Sequence, residues 1–133
     1  MAALVSAAGL PLDGLDDVHA VLVAEDGDRV VGVAALERHG DGAHVAYLLR
    51  SVAVDGAARG GGIGAHLTQA ALAHVDAEGA PVALLTETAD GWFPRFGFVA
   101  VERADLPAAL AASPELAGAC PASARAMLRP SRR

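Results

Sequence analysis

Residues Leu49–Ala65, with the sequence LRSVAVDGAARGGGIGA, join an apolar run to a glycine-rich turn. The apolar run predicts a strand, and a helical pattern follows the turn. A strand that ends in such a turn and opens a helix directs several backbone N–H groups and the positive end of the helix dipole at one point. Glycine leaves room for a phosphate there and adopts the positive φ angles that such turns use. We therefore expect an anion to bind at this turn, with Arg59 adding a charge-assisted hydrogen bond.

Two nucleotide-binding motifs compete for the same turn. A P-loop requires Lys-Ser or Lys-Thr after its last glycine, whereas Ala65-His66 follows here, so no side chain is placed for a γ-phosphate or for magnesium. A dinucleotide fingerprint matches Gly60, Gly62 and Ala65, with Glu87 downstream as a ribose ligand. That fingerprint should follow its strand directly and be succeeded by further β-α-β units, for which this chain has no room.

Three Val-rich segments upstream of the turn predict an antiparallel meander. They are Val18–Glu25, Arg29–Glu37 and Ala43–Val54, and they are separated by glycine-containing turns at 26–28 and 39–42. Asp-Gly in the first of these turns is a strong hairpin signal.

Downstream of the turn, apolar residues recur at every fourth position between Gly62 and Glu78, which predicts one face of a helix. Val82–Thr86 predicts a buried strand, so that strand, helix and strand form a right-handed parallel crossover. The fold class is therefore α/β (α+β), with a mixed central sheet that passes from an antiparallel meander into a β-α-β unit. The other predicted elements are a helix Ala2–Leu10, one or two helical turns in Ala89–Phe96, a strand Gly97–Glu102, a helix Leu106–Ala112, a strand Ala124–Leu128 and a frayed tail Arg129–Arg133.

Length, charge and composition limit the possible functions. With 133 residues, 53% of them hydrophobic, residues 1–133 are expected to form one domain. A net charge of -6 and the absence of lysine argue against binding to nucleic acid. Cys120 is the only cysteine and the histidines show no ligand spacing, so we expect neither a disulfide nor a metal site. No apolar stretch is long enough for a membrane span and no signal peptide is evident, so a cytoplasmic protein is expected.

Two landmarks resemble those of the GNAT acetyltransferase superfamily. Arg59-Gly-Gly-Gly-Ile-Gly64 is similar to the coenzyme A signature of that superfamily, and Trp92–Phe98 resembles its second landmark, an aromatic pair followed by Gly-Phe. Three further segments resemble a subgroup of short N-acetylglutamate synthases and arsenic-resistance-type acetyltransferases: Leu49–Val54, Leu84–Thr88 and Cys120–Ser123.

The resemblance implies the GNAT acyl-CoA N-acyltransferase fold and an enzyme that takes its acetyl group from acetyl-CoA. The amine of a small molecule would attack the thioester directly, without a covalent enzyme intermediate, while a backbone N–H near Val52 stabilises the oxyanion. Acetyl-CoA would lie between the strand that ends at Val54 and the strand Val82–Thr86. Its implied contacts are strand residues, the glycine turn and one aromatic residue: Val52, Ala53, Val54, Arg59, Gly60, Gly61, Gly62, Ile63, Gly64, Ala65 and Phe93.

The implied proton-transfer residues depart from the pattern of the superfamily. Many GNAT enzymes place a tyrosine, the acid that protonates the thiolate, where this chain has Phe93. Thr86, Thr88 or a water would have to serve instead. Glu37 and Glu87 are the candidates for the base, acting through water, because each follows a strand on the substrate side.

Arg50 is the candidate for recognising the substrate, together with Thr86. The matching arginine of the resembling subgroup suggests a fork that grips a carboxylate beside the acyl site. An amino acid or an analogue is therefore the expected substrate. The alternative is a surface arginine that packs its stem, and Tyr47 is expected to be a core residue.

Two alternatives stay open. The lack of a hydroxyl at Phe93 and the short N-terminus favour a non-catalytic CoA- or nucleotide-binding module. Members of the superfamily usually begin with an edge strand, whereas here Met1 falls inside the first helix, so that edge strand is missing. Either the chain is trimmed or a partner covers the edge, and because an uncovered edge strand pairs readily, a homodimer is expected.

Overall fold

A computed structural model describes residues 18–56, 60–116 and 123–131 of the chain. Within these residues the strands form one sheet in the order β1-β2-β3-β4-β6-β5. The predicted α/β class is confirmed. The elements, in chain order, are β1 (Ala20–Asp26), β2 (Arg29–His39), β3 (Ala46–Val54), helix α1 (Ile63–Asp76), β4 (Val82–Thr86), β5 (Val99–Val101) and β6 (Arg125–Arg129), with short 3-10 helices at Gly42–His44, Phe93–Phe96, Arg103–Asp105 and Ala108–Ala112.

The sheet is mixed, as the pattern of segments predicts. Strands β1, β2 and β3 pair antiparallel in a meander, whereas β4 pairs with β3 in parallel after the crossover through α1. The last two pairings, of β6 with β4 and of β5 with β6, are antiparallel.

Helix α1 packs on one face of this sheet through the apolar positions that recur along it. Its buried residues Leu67, Ala71 and Val75 belong to the same cluster as Tyr47 and Leu49 of β3. The opposite face is covered locally by the 3-10 helix Ala108–Ala112, whose Leu110 packs with Ala46, Leu48 and Ala83. Residues of β3 therefore alternate between a helix-covered face and a face that carries the C-terminal part of the chain.

Several element boundaries differ from the prediction, and the assignment of Arg129 to a frayed tail is wrong. The strand predicted from Ala43 begins at Ala46, because Gly42–His44 form a 3-10 turn, and the predicted helix at Leu106–Ala112 is a short 3-10 helix. Arg129, expected in a frayed tail, is the last residue of β6 and is buried. Its guanidinium donates to both carboxylate oxygens of Asp76, at 2.8 and 3.0 Å, and this bond ties β6 to the end of α1. The predicted helix Ala2–Leu10, Arg59 and Cys120 lie outside the described residues.

Strand β3 contains a β-bulge that changes the course of the sheet. Val33 pairs with Ala53 and Ala35 pairs with Arg50, so two residues of β3, Ser51 and Val52, oppose one residue of β2. The parallel pairing of β3 with β4 covers only Tyr47 and Leu48. Beyond Leu48 the two strands separate, and the gap between them opens a cavity.

Candidate active site

The cavity between β3 and β4 has a volume of about 630 Å³. Four segments border it: the second half of β3, the glycine turn with the start of α1, the end of β4, and the aromatic segment around Trp92. The lining residues are Leu49, Arg50, Ser51, Val52, Ala53, Val54, Gly60, Gly62, Ile63, Gly64, Ala65, Leu84, Leu85, Thr86, Thr88, Ala89, Trp92, Phe93 and Arg95. The cavity thus brings together most of the residues expected to contact acetyl-CoA and, of those expected to act on the substrate, Arg50, Thr86 and Thr88.

The glycine turn presents an open backbone surface to the cavity. Gly62 caps the N-terminus of α1 with φ 80°, and Gly60 has φ 90°. A Cβ atom at either position would meet no atom within 4 Å, so the space beside both glycines is open. The first N–H groups of a helix have no partner within the helix, and they lie at the positive end of its dipole. An anion of the size of a phosphate therefore suits this turn.

An aromatic cluster forms the wall next to the turn. Trp92 makes edge contacts with Phe93 and Phe96, with ring centroids 4.9 and 4.8 Å apart. A Cβ atom on Gly64 would lie 3.7 Å from the Trp92 ring, so this wall abuts the first turn of α1. The Arg95 guanidinium lies over Trp92, 5.4 Å from its ring centroid, and its Nε donates to the Trp92 carbonyl oxygen at 2.8 Å. Arg95 thus brings a positive charge to the rim of the cavity.

The end of β4 supplies hydroxyl groups. Thr86 Oγ1 accepts a hydrogen bond from the Ala89 N–H at 3.0 Å, which fixes the turn that follows β4. Thr88 is exposed and borders the cavity. Glu87 points elsewhere: it is exposed, is absent from the cavity lining, and accepts a hydrogen bond from Ser123 Oγ at 3.3 Å.

A buried charged cluster lies behind the bulge of β3. The Arg50 side chain has 0% exposure. Its Nη1 donates to Glu37 Oε2 at 3.0 Å, its Nε lies 3.3 Å from Glu115 Oε1, and the same Nε donates to Ser51 Oγ at 3.1 Å. Glu37 also bonds His39 Nε2 at 2.8 Å through its other oxygen. The cluster joins β2, β3 and the segment that follows the 3-10 helix Ala108–Ala112.

Comparison with known families identifies the family of the chain. The family described as an acetyltransferase (GNAT) domain matches residues 17–100, well over half of the chain. The chain belongs to the GNAT acetyltransferase family. No curated protein sequence gives a significant match.

Solved GNAT structures resemble the chain over most of its length. N-acetylglutamate synthase from Neisseria gonorrhoeae, complexed with coenzyme A and N-acetyl-glutamate, superposes with a TM-score of 0.78 at 20% identity, over 99% of this chain and 32% of that one. A Mycobacterium tuberculosis protein in complex with CoA gives 0.62 at 26% identity, over 81% and 74% of the two chains. A GNAT family acetyltransferase from Brucella melitensis in complex with acetyl-CoA gives 0.56 at 33% identity, over 66% and 60%. The chain therefore has the GNAT fold, and it spans about a third of the N-acetylglutamate synthase that it matches.

The described part of the chain has no tyrosine at the cavity. Tyr47, the only tyrosine of the sequence, lies outside the cavity and donates its hydroxyl to Glu78 Oε1 at 2.6 Å. Burial raises the pKa of Tyr47, and the hydrogen bond to the carboxylate of Glu78 raises it further. Phe93 borders the cavity with a ring that has no proton to give.

Sequence reasoning missed three members of the buried cluster: Ser51, His39 and Glu115. Ser51 could have been noticed only as a polar residue inside an apolar strand. Glu115 is 65 positions from Arg50 in the chain, and no local pattern connects the two. Glu37, one of the expected bases, is in this cluster, while the other, Glu87, is on the outside of the fold.

Two kinds of feature are absent from the described residues, a metal-ligating cluster and a membrane-spanning helix. Within them no group of three or more His, Cys, Asp or Glu side chains is arranged to hold a metal ion. No helix there is both long and apolar enough to cross a membrane.

Proposed function

We propose that the chain transfers the acetyl group of acetyl-CoA to the amine of an amino acid or of a related small molecule. One observation carries the proposal: the open glycine turn at the start of α1 and the gap between β3 and β4 meet at one cavity. The turn suits a pyrophosphate, and the backbone edge of β3 beyond Leu48 suits the amide groups of a pantetheine arm. The complexes of two GNAT neighbours with CoA or acetyl-CoA support the same cosubstrate.

In the proposed reaction the amine nitrogen attacks the carbonyl carbon of the thioester. The carbonyl oxygen gains negative charge, which a backbone N–H of the bulge near Val52 stabilises. The C–S bond then breaks, the nitrogen loses a proton, and CoA leaves as a thiol. Thr88 and Thr86, which border the cavity, are candidate donors of the proton that sulfur takes up, and the donor regains its hydrogen from water. Glu87 would accept the proton of the amine through water at the exposed end of β4.

Glu37 is the second candidate for the base. Because it is buried and bonded to Arg50 and His39, it would act through His39 or through water and not by direct contact with the amine. This arrangement favours Glu37 as a member of the charged cluster that supports the bulge, and it leaves Glu87 as the more accessible carboxylate.

The proposed substrate carries an α-carboxylate. The complex of the Neisseria gonorrhoeae protein with N-acetyl-glutamate supports this class of acceptor. Arg50 borders the cavity, and a substrate carboxylate would have to share its guanidinium with Glu37 and Glu115. A hydrogen bond to a charged group contributes about 1.5–3 kcal/mol, so recognition through Arg50 predicts a preference of about tenfold or more for an amino acid over its decarboxylated amine.

Release of free thiol from acetyl-CoA tests the proposal. The purified chain is given a panel of amino acids and, for each, the amine that lacks the carboxyl group. We expect thiol release with at least one amino acid and slower release with its amine. Equal rates on acid and amine would remove the carboxylate from the proposal. If CoA raises the melting temperature but no amine causes thiol release, the chain is a non-catalytic CoA-binding module, which the lack of a hydroxyl at Phe93 favours.

A further inference from the structure

Ser51 is, among the described residues, the one non-glycine residue with a positive φ angle, at 59°. The left-handed conformation costs an L-residue about 1–2 kcal/mol. Strain of this kind persists only where the surroundings impose it, and it is concentrated at functional sites. Ser51 is at the bulge of β3 and borders the cavity. The strained serine thus coincides with the place where β3 leaves β4.

The charged cluster holds the Ser51 side chain in place. Arg50 Nε donates to Ser51 Oγ at 3.1 Å, and the guanidinium is itself fixed by Glu37 and Glu115. The side chains of Arg50, Glu37 and Glu115 have 0%, 6% and 4% exposure, so water screens these bonds little. A cation is therefore held directly against the hydroxyl oxygen.

The hydroxyl hydrogen of Ser51, unlike its oxygen, is not held by Arg50. A serine hydroxyl has one hydrogen to donate, and a guanidinium has no acceptor. Arg50 can thus donate to Ser51 but cannot accept from it. Among the described residues, no acceptor for the Ser51 hydrogen is found, and the residue is 5% exposed at the cavity. The proton is therefore available to a group that enters the cavity.

The other hydroxyl groups are less well prepared for this role. Thr86 Oγ1 is engaged by the Ala89 N–H, and Thr88 is exposed to water. Neither threonine contacts a cation among the described residues. A positive charge against the hydroxyl oxygen stabilises the negative charge that develops there when the proton leaves. Of these three hydroxyl groups, only that of Ser51 lies against a cation.

We propose that the Ser51 hydroxyl, oriented by Arg50, donates the proton that the CoA sulfur takes up as it leaves; this role rests on the acetyl transfer proposed above. When the C–S bond breaks, its electron pair goes to sulfur, and sulfur takes the hydrogen of Ser51. The Ser51 oxygen regains a hydrogen from water, and that water is made neutral again by the proton that the attacking nitrogen gives up to Glu87. The proton lost by the amine thus balances the proton gained by the thiol, and Ser51 returns to its starting state.

The test compares Ser51→Ala with Ser51→Gly. Both remove the hydroxyl, but glycine tolerates a positive φ, so Ser51→Gly relieves the strain that Ser51→Ala keeps. We expect both to lower kcat with acetyl-CoA by about 10²-fold or more while the KM for acetyl-CoA stays close to that of the parent. Ser131→Ala is the control, because it removes a serine hydroxyl that donates to the Gly79 carbonyl oxygen and does not border the cavity. It should keep the parent kcat.

A second substrate separates proton donation from packing. In an acetyl thioester of an aromatic thiol, the leaving group is a stable thiolate, which needs no proton donor. With that substrate the Ser51 variants should lose only a few-fold in rate relative to the parent. Parent-like kcat on acetyl-CoA, or an equal loss on both thioesters, would overturn the role of Ser51 while leaving acetyl transfer intact. A parent that transfers no acetyl group to any amine would overturn the proposed function itself and the role of Ser51 with it.

Discussion

Two segments with positive φ angles border the cavity, and they are built in opposite ways. The glycine turn at Gly60 and Gly62 is exposed, consists of backbone alone, and has open space beside it. The bulge at Ser51 is buried, and charged side chains from distant parts of the chain hold it. An open turn with free N–H groups suits the binding of a large solvated anion. A buried and fixed segment suits chemistry, where small errors in position lower the rate. We therefore expect damage to the turn to affect cosubstrate binding and damage to the bulge to affect turnover or stability.

The largest effect on cosubstrate binding is expected from Gly62→Asp. The new side chain would occupy the open space of the turn and place a negative charge where the phosphates bind. CoA at a hundredfold excess over its Kd should stabilise the parent by about 2.7 kcal/mol, and this gain should vanish in the variant. The melting temperature with and without CoA measures it.

Gly42→Asp is the matched control for the turn. Gly42 also has a positive φ, 55°, and open space beside it, but it lies in the hairpin turn before β3, away from the cavity. Both variants place an aspartate at a positive φ and add the same charge. If Gly42→Asp loses the CoA response as well, the loss reflects general destabilisation and the anion site is misplaced.

The largest effect on the stability of the protein without CoA is expected from Arg50→Met. The substitution removes the guanidinium that the buried carboxylates of Glu37 and Glu115 share, which costs about 3–5 kcal/mol. Arg129→Met is the comparison, because Arg129 is equally buried but its partner Asp76 has 39% side-chain exposure. Water can solvate that carboxylate, so the expected loss is about 1 kcal/mol. Urea denaturation of both variants gives the two values.

The buried cluster predicts one further result for the same measurement. Replacing Arg50, Glu37 and Glu115 together by apolar residues removes the three buried charges at once and should recover most of the stability. Equal losses for Arg50→Met and Arg129→Met would show that the cluster is hydrated in solution, and the contrast between bulge and turn would fail.

The same contrast explains what the sequence could predict. The glycine turn is contiguous, and its chemistry depends on backbone and on residue size, so Leu49–Ala65 is enough to predict strand, turn, helix and anion site. The meander and the crossover follow from local periodicity as well. The charged cluster depends on Glu37, Arg50 and Glu115, which come together only when β2 and β3 pair and the chain returns over the sheet. No short-range spacing in the sequence predicts that these three side chains come into contact.

Arg129 shows the same limit in a different element. When only its sequence neighbours are considered, Arg129 belongs to the arginine-rich run Arg129–Arg133, which predicts a side chain exposed to solvent. In the fold, Arg129 is paired with Val82 of β4, and its side chain reaches Asp76 and the Phe96 carbonyl oxygen. Its burial follows from where β6 inserts in the sheet, and the sequence carries no local signal for that position.

The smallest effect is expected at Tyr47, a polar contact on the helix-covered face that takes no part in the cavity. The Tyr47 hydroxyl donates to Glu78, which also binds Arg38, so Tyr47→Phe leaves Glu78 with a partner and should cost only about 1 kcal/mol at neutral pH. Because burial and Glu78 raise the pKa of Tyr47 in the folded state, its neutral form stabilises the fold below pH of about 10, the ordinary value for tyrosine, and this stability is lost as the pH rises through the folded pKa. The parent should therefore lose stability more steeply than Tyr47→Phe above pH of about 10.

Since the chain has a single tyrosine, the absorbance of the phenolate reports Tyr47 alone, and urea midpoints over the same pH range give the stability. Turnover at neutral pH should be that of the parent. Titration of Tyr47 at or below its ordinary pKa would show that the bond to Glu78 does not form, and a loss of turnover would show that the face covered by α1 is coupled to the cavity.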